Sequence, residues 1–203
     1  MSQMISTPPD QLSPRETIVE TAVRLFGKQG YTGTTMRDIA KEVGILPGSL
    51  YAHINSKEAL LDEIVESGIE SYLAIESSIP PATSASAEER LRAAIKAHVA
   101  IATGSPERSL VVFHQWRYLD EPNLSRALNK RRRYQQIFRK LIDDGMASGV
   151  FNATLDPRIA VFVILGALNW TPEWYSPTGR AKAAEIGEQL ADTLLAGIVA
   201  KKS

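Results

Sequence analysis

Apolar residues recur along this chain at spacings of three and four, with no sustained alternation. That period belongs to helices packed by one face. Ile18, Ala22, Leu25 and Phe26 form the first such face. Ser13 precedes Pro14 and lies three residues before Glu16, which predicts an N-cap, a first-turn proline and a capping box, and Gly30 ends the helix. A second helix starts from a cap at Thr34 or Thr35 and runs to about Val43, with Ile39, Ala40 and Val43 facing inward and Gly44 at the turn. A short third helix covers about 47–53. Ser56 caps a fourth, in which Leu60, Leu61, Ile64, Val65, Ile69, Tyr72 and Leu73 continue for about five turns.

Residues 77–87 are Ser, Pro, Ala and Thr with one Ile, the composition of a linker. Beyond them the pattern predicts helices over about 87–103, 106–119, 122–148, 157–172 and 179–200; Asp156-Pro157 is again a cap followed by a first-turn proline. The expected class is all-α with about nine helices: a flexible arm over 1–12, a three-helix helix-turn-helix domain over 13–57, and a helical ligand-binding and dimerisation domain over 58–203.

Composition narrows the classes. A chain of 203 residues with 44% hydrophobic content can bury a real core. The absence of cysteine excludes a disulfide, a thiol nucleophile and a sulfur-ligated metal. The longest apolar run, Ile159 to Ala167, is far short of the roughly 20 residues a membrane helix needs. With no charged start followed by an apolar run, a cytoplasmic protein without a membrane partner is expected. Net charge is zero, but residues 14–57 carry six Lys/Arg against four Asp/Glu, a surplus of +2 that permits DNA binding without indicating it.

The first quarter carries the most specific chemistry. Gly44 supplies a helix-turn-helix turn, and Gly48 and Ser49 are small enough for a reading helix to approach DNA closely. Leu25, Phe26, Ile39, Val43, Ile45, Leu50 and Ile54 would support it from below. Thr35 at a helix N-terminus can offer its hydroxyl and backbone N–H to a phosphate, as can the Tyr51 hydroxyl. Lys57 adds charge at a helix start, and Arg37 and His53 can reach bases or backbone. An ordinary three-helix core would satisfy the same spacing.

The stretch Ile18–Leu61 resembles the N-terminal domain of the TetR family of transcriptional repressors. The resemblance rests on Ala22, Leu25-Phe26, Gly30-Tyr31, Thr34-Thr35, Arg37-Asp38-Ile39-Ala40, Gly44, Gly48-Ser49-Leu50-Tyr51, His53 and Ser56-Lys57-Glu58-Ala59-Leu60. Ile54 stands where the family usually has phenylalanine. The resemblance implies an Ω-shaped homodimer on a palindromic double-stranded operator. Its DNA-contacting set maps onto Thr35, Arg37, Pro47, Gly48, Ser49, Tyr51, His53 and Lys57.

The last two helices suit a dimer. The first is apolar nearly all round, the pattern of a helix buried on every side. The second has Ile186, Leu190, Leu194 and Ile198 four apart. Two such helices from each of two chains would make a four-helix interface, with Phe162, Leu165, Ile186, Leu190, Leu194 and Ile198 in it; an intrachain core is the alternative.

The middle helices would enclose an effector, so polar residues on their inward faces are the candidates: His98, His114, Arg117, Arg131 and Gln135, with Phe138 and the aromatic Trp170 beside them. Core histidines and a surface salt bridge at Arg131 are the plainer readings. Residues 126–140 hold seven basic and no acidic side chains, either a solvated face or an attraction for a carboxylate or phosphate.

The pattern Arg131-Arg132-Arg133-Tyr134, Ile137-Phe138, Gly145, Ser148-Gly149-Val150-Phe151, Leu155-Asp156-Pro157, Gly166-Ala167-Leu168-Asn169-Trp170 and Trp174-Tyr175 is similar to the acyl-CoA-responsive TetR branch that controls fatty-acid and sterol breakdown. Sterol-ring regulators carry an arginine and a tryptophan toward the ligand from the eighth helix. Leu165 and Asn169 stand at the matching positions here, so the resemblance implies a fatty or aromatic acyl-CoA rather than a sterol-derived ester.

The expected function is a ligand-responsive repressor released from DNA by a small acidic or hydrophobic effector such as an acyl-CoA, with no catalytic residues, metal or cofactor. None of His53, His98 or His114 has the Glu three residues earlier that a helical di-iron enzyme requires. A helical carrier of lipid or acyl ligands without DNA binding is the competing reading.

Overall fold

A computed structural model describes residues 12–200; the expected arm lies, apart from Leu12, outside them. The chain opens with α1 (Pro14–Gln29), whose capping box is closed by Ser13 and Glu16. Helix α2 (Met36–Val43) starts from a second capping box, Thr35 with Asp38. Gly44 then takes φ 82°, a left-handed turn open to a residue without Cβ. Helix α3 (Pro47–Leu50) is a single turn, shorter than the expected 47–53; the chain continues as turns to Ile54. Phe26, Ile39 and Leu50 are fully buried where the three helices meet, and Ile54 is nearly so. Each such side chain contributes about 1.5–3 kcal/mol of burial.

Helix α4 (Lys57–Leu73), capped by Ser56, joins the head to the rest of the molecule. It buries Leu60, Leu61, Ile64, Val65, Ile69 and Tyr72 along its length and passes into a 3-10 turn, Ala74–Ser78. The C-terminal bundle consists of α5 (Ala87–Gly104), α6 (Pro106–Leu110), α7 (Asn123–Ala147), α8 (Pro157–Asn169), the single turn α9 (Thr171–Trp174) and α10 (Ala183–Ala196). The fold is all-α, and α9 is the turn added to the nine helices expected. The last helix starts later and ends earlier than the predicted 179–200. Val150 and Ile198 carbonyls instead accept from Ala200 and Asn152 N–H, with one isolated antiparallel bridge between Phe151 and Val199.

The sixth helix departs most from expectation. The segment read as one helix over 106–119 is α6, then a π-helical turn, Val111–Gln115, then a 3-10 turn, Trp116–Tyr118. A π turn shifts carbonyls off the regular ladder. The Val112 carbonyl accepts instead from Arg131 Nη1 at 3.2 Å. Gly68 of α4 lets this segment come close, because a Cβ there would overlap the Val112 side chain.

The basic run of α7 is divided by this packing. Arg126 pairs with both oxygens of Asp62, at 2.7 and 2.8 Å, and Lys130 pairs with Glu66 and Glu70. Each half-exposed pair adds little, about 0–1 kcal/mol, but together they fix the register of α7 against α4.

Candidate nucleic-acid interface and ligand cleft

The reading head presents its candidates unevenly. Pro47, Gly48, Ser49 and His53 are exposed, and Tyr51 is 55% exposed while its neighbour Leu50 anchors the core. Arg37 is exposed and has neither ion pair nor hydrogen bond among the described residues. Two candidates are already engaged. The Thr35 hydroxyl donates to Asp38 Oδ2 at 2.6 Å and accepts from the Asp38 N–H, so its proton is not free for a phosphate. Lys57 Nζ donates to the Tyr31 and Thr34 carbonyls at 3.0 and 2.9 Å and lies 4.1 Å from the Tyr31 ring centroid. Lys57 therefore ties the loop before α2 to the start of α4. Helix position alone could not show this, because the partners are carbonyls distant in sequence.

A small cleft, with about 30 Å³ of water-accessible space, opens among α4, the π turn, α7 and α8. Its apolar wall is Ile69, Val112, Phe113 and Leu165. Its polar lining is Tyr72, Tyr134, Arg131, Gln135 and Asn169. Of the residues expected here, the structure brings Arg131 and Gln135 into the cleft. The others stand elsewhere. His98 is fully buried behind the wall, bonded through Nδ1 to the Tyr134 hydroxyl at 2.6 Å and stacked on Phe113. Burial pushes its pKa down to about 3, so it is a neutral buttress. Phe138 is fully buried, edge-on to Tyr134. Arg117 is exposed beside Trp116. Half-buried His114 lies 3.3 Å from Glu173 and edge-on to Trp170, which is itself exposed.

Tyr72 and Tyr134 were not expected as lining residues, and Asn169 only through the position it shares with sterol-ring regulators. Their helical spacing reads as core, and only the crossing of α4, α7 and α8 turns them to one space. Two of them have their polar groups occupied: Tyr72 bonds Ser109 at 2.8 Å, and Tyr134 bonds His98. Burial raises the pKa of both phenols, keeping them protonated. Arg131 has no carboxylate partner among the described residues. Its guanidinium lies 4.8 Å from the Trp116 ring centroid, and burial, then Arg117, lower its pKa from the ordinary arginine value.

The dimer candidates also divide. Helix α8 was expected to be buried on every side, but Ile159, Phe162 and Val163 are 57%, 53% and 59% exposed. With Thr193 and Leu194 of α10 and Gly197 at its C-cap, Ile159 and Val163 border an open groove of about 400 Å³. Leu165, expected in the interface, turns the other way into the cleft. Ile186 and Ile198 are buried within the chain, Ile198 at the groove floor, whereas Leu190 and Leu194 are half-exposed. An isolated helix pattern cannot tell a face covered by its own chain from one left for another.

Comparison with known proteins agrees with this arrangement. Residues 18–64 match the profile described as bacterial regulatory proteins, tetR family, and 84–198 match the tetracyclin repressor-like C-terminal domain. The HTH-type transcriptional repressor KstR2 of Mycobacterium tuberculosis is 30% identical over 190 residues, covering 92% of this chain and 93% of that protein. The structure of the ketosteroid transcriptional regulator KstR2 from that organism superposes with a TM-score of 0.82 at 27% identity, covering 93% and 96% of the two chains. AibR, in complex with isovaleryl coenzyme A and operator DNA, gives 0.75 at 27% identity, covering 91% and 97%. With both halves matched in this order and its length nearly filled, the chain belongs to the TetR family of DNA-binding transcriptional repressors.

Proposed function

We propose that this protein is a cytoplasmic homodimer that holds a palindromic operator and releases it when a short acyl-CoA enters the cleft. The observation that carries the effector reading is Arg131: a half-buried guanidinium facing a cleft with one apolar wall, with no carboxylate partner among the described residues. A ligand with an apolar body and an anionic or strongly polar part suits that space. The AibR complex supports a CoA ester as the class. Only about 30 Å³ of the cleft is accessible to water, so a ligand must widen it, which favours a short acyl group over a ring system, and Leu165 and Asn169 line that same space. The domain boundary proposed at residue 57 falls at the first turn of α4, so the cleft wall and the head share one rigid helix.

Release needs a path from cleft to head, and the π turn offers one. Val112 and Phe113 line the cleft, and Gln115 Oε1 accepts from the Tyr31 N–H at 3.2 Å. Tyr118 stacks on Tyr31 at 5.5 Å, and Tyr31 carries Lys57. A ligand that draws Arg131 from the Val112 carbonyl would shift this turn and the head contacts beyond it. An affinity about 100-fold higher for the shifted state displaces the equilibrium by about 2.7 kcal/mol. Gln115→Ala is expected to keep operator and acyl-CoA affinities within about threefold while weakening release by tenfold or more; unaltered release removes Gln115 from the path.

A mobility-shift titration against the DNA upstream of its own gene, with and without isovaleryl-CoA, tests the whole reading. Salt-sensitive, sequence-selective binding that the ester weakens is expected; its absence favours a carrier. On that DNA, Arg37→Ala and Tyr51→Phe should weaken binding to all sequences, each costing a phosphate contact, whereas Ser49→Ala should change the preference among them. Unchanged affinity in all three counts against this placement of the reading surface.

A further inference from the structure

The cleft contains more unpaired polar capacity than a plain hydrocarbon acyl chain would use. Among its polar residues, the two tyrosine hydroxyls are committed to Ser109 and His98. Arg131 spends one Nη1 proton on the Val112 carbonyl and turns its guanidinium toward the Trp116 ring. A guanidinium has five N–H donors, so a fork remains. Asn169 Oδ1, which also lines the cleft at the C-terminal end of α8, is buried without a hydrogen-bond partner among the described residues. A buried unpaired amide costs free energy unless a ligand satisfies it. The amide can turn to present its N–H instead. Gln135, one helical turn after Arg131 on α7, lines the same space with a third planar fork.

From these three side chains, we infer that the effector's acyl group ends in a carboxylate: the ligand is the CoA half-ester of a short dicarboxylic acid, its free carboxylate held by Arg131 between the Asn169 and Gln135 amides. This rests on the acyl-CoA reading above and sharpens it. Arg131 supplies charge and two-point geometry; the amides bind the remaining lone pairs. The adjacent apolar wall of Ile69 and Leu165 fits the few methylenes between carboxylate and thioester. The nearest cation, Arg117, adds to the positive field at this end of the molecule. A hydrocarbon terminus would strand both the charge and the amide, whereas the carboxylate pairs them.

The experiment compares two esters of equal length, glutaryl-CoA and pentanoyl-CoA, by calorimetric titration of the full chain. Glutaryl-CoA is expected to bind at least tenfold tighter. Asn169→Ala should cut that preference to a few-fold, and Arg131→Gln should abolish it. Asn169→Asp is the second variant: it preserves size, adds a like charge, and should invert the preference. Equal binding of the two esters, or tighter pentanoyl-CoA, overturns the carboxylate assignment and leaves the acyl-CoA reading standing. Failure of both esters to bind overturns both readings. Preference for glutaryl-CoA that survives Arg131→Gln and Asn169→Asp overturns the assignment of these residues.

Discussion

Phe162→Asp is expected to convert the protein from a dimer to a monomer and to weaken operator binding by at least ~100-fold. Phe162 lies on α8 with Ile159 and Val163, all more than half exposed in the isolated chain. A contiguous apolar face of this size on one helix marks an interaction surface. The groove beside it, walled by α10, is apolar for most of its length and would accept the same face of a second copy about a two-fold axis. A buried unpaired carboxylate at the centre of that contact costs several kcal/mol, and the two-fold axis repeats it. The α8 inner face, with Ile164, Leu165 and Leu168, is untouched, so the monomer should remain folded. Two reading helices must sit about one DNA turn apart to engage a palindrome, so losing the pairing removes one half-site contact from every complex. Sedimentation velocity with a parallel mobility shift checks both halves. A variant that stays dimeric, or that binds DNA as a monomer with unchanged affinity, contradicts this use of α8.

The second large effect is on stability in acid. His98 is fully buried between Tyr72, Phe113 and Tyr134, and its neutral form is held by burial, with a folded pKa of about 3 against an ordinary 6.5. No carboxylate reaches it; its titratable neighbours are the two phenols, protonated throughout this range. Between pH 6.5 and 3 the unfolded chain carries a proton at this position that the folded chain refuses. Stability from this group is therefore complete above pH 6.5 and falls as pH drops, by up to about 1.4 kcal/mol per unit, until the folded pKa is reached. From pH 6.5 to 4.5 that comes to about 2 kcal/mol, a large share of a marginal domain. His98→Gln keeps a hydrogen-bonding group beside Tyr134 without a titrating ring. Its urea midpoint is expected to be lower at pH 7.5 but nearly flat over this range. A wild-type midpoint that does not fall between pH 6.5 and 4.5, or a variant that falls equally, assigns the acid sensitivity elsewhere.

These two sites also separate what was legible along the chain from what was not. Helix ends were written locally. Ser13 with Glu16, Thr35 with Asp38, Ser56 and Asp156 each cap a helix through bonds spanning two or three residues, so short-range pattern is enough to place them. Gly44 was readable for the same reason, since its left-handed turn is a property of one residue. The reading surface followed because it is contiguous in sequence, and its small and aromatic residues lie exposed on one short turn.

Between those ends, periodicity gave the residue spacing but not the register. The break of the sixth helix into a π turn has no local signal. It depends on Arg131, nineteen residues away, taking the Val112 carbonyl, and on Gly68 letting the turn approach α4. Lys57 looked free because its carbonyl partners, Tyr31 and Thr34, are more than twenty residues back.

The sequence by itself determined the helical class, the caps, the turn and the head, because each rests on interactions within a few residues. Tertiary structure alone decided which polar side chains meet. It placed His98 behind the wall rather than in the cleft, turned Leu165 from the expected interface into the cleft, and brought Asn169 and Arg131 to the same space. The physical reason is that a helical stripe reports which residues are buried, whereas the partner each one buries against follows from how α4, α7 and α8 cross.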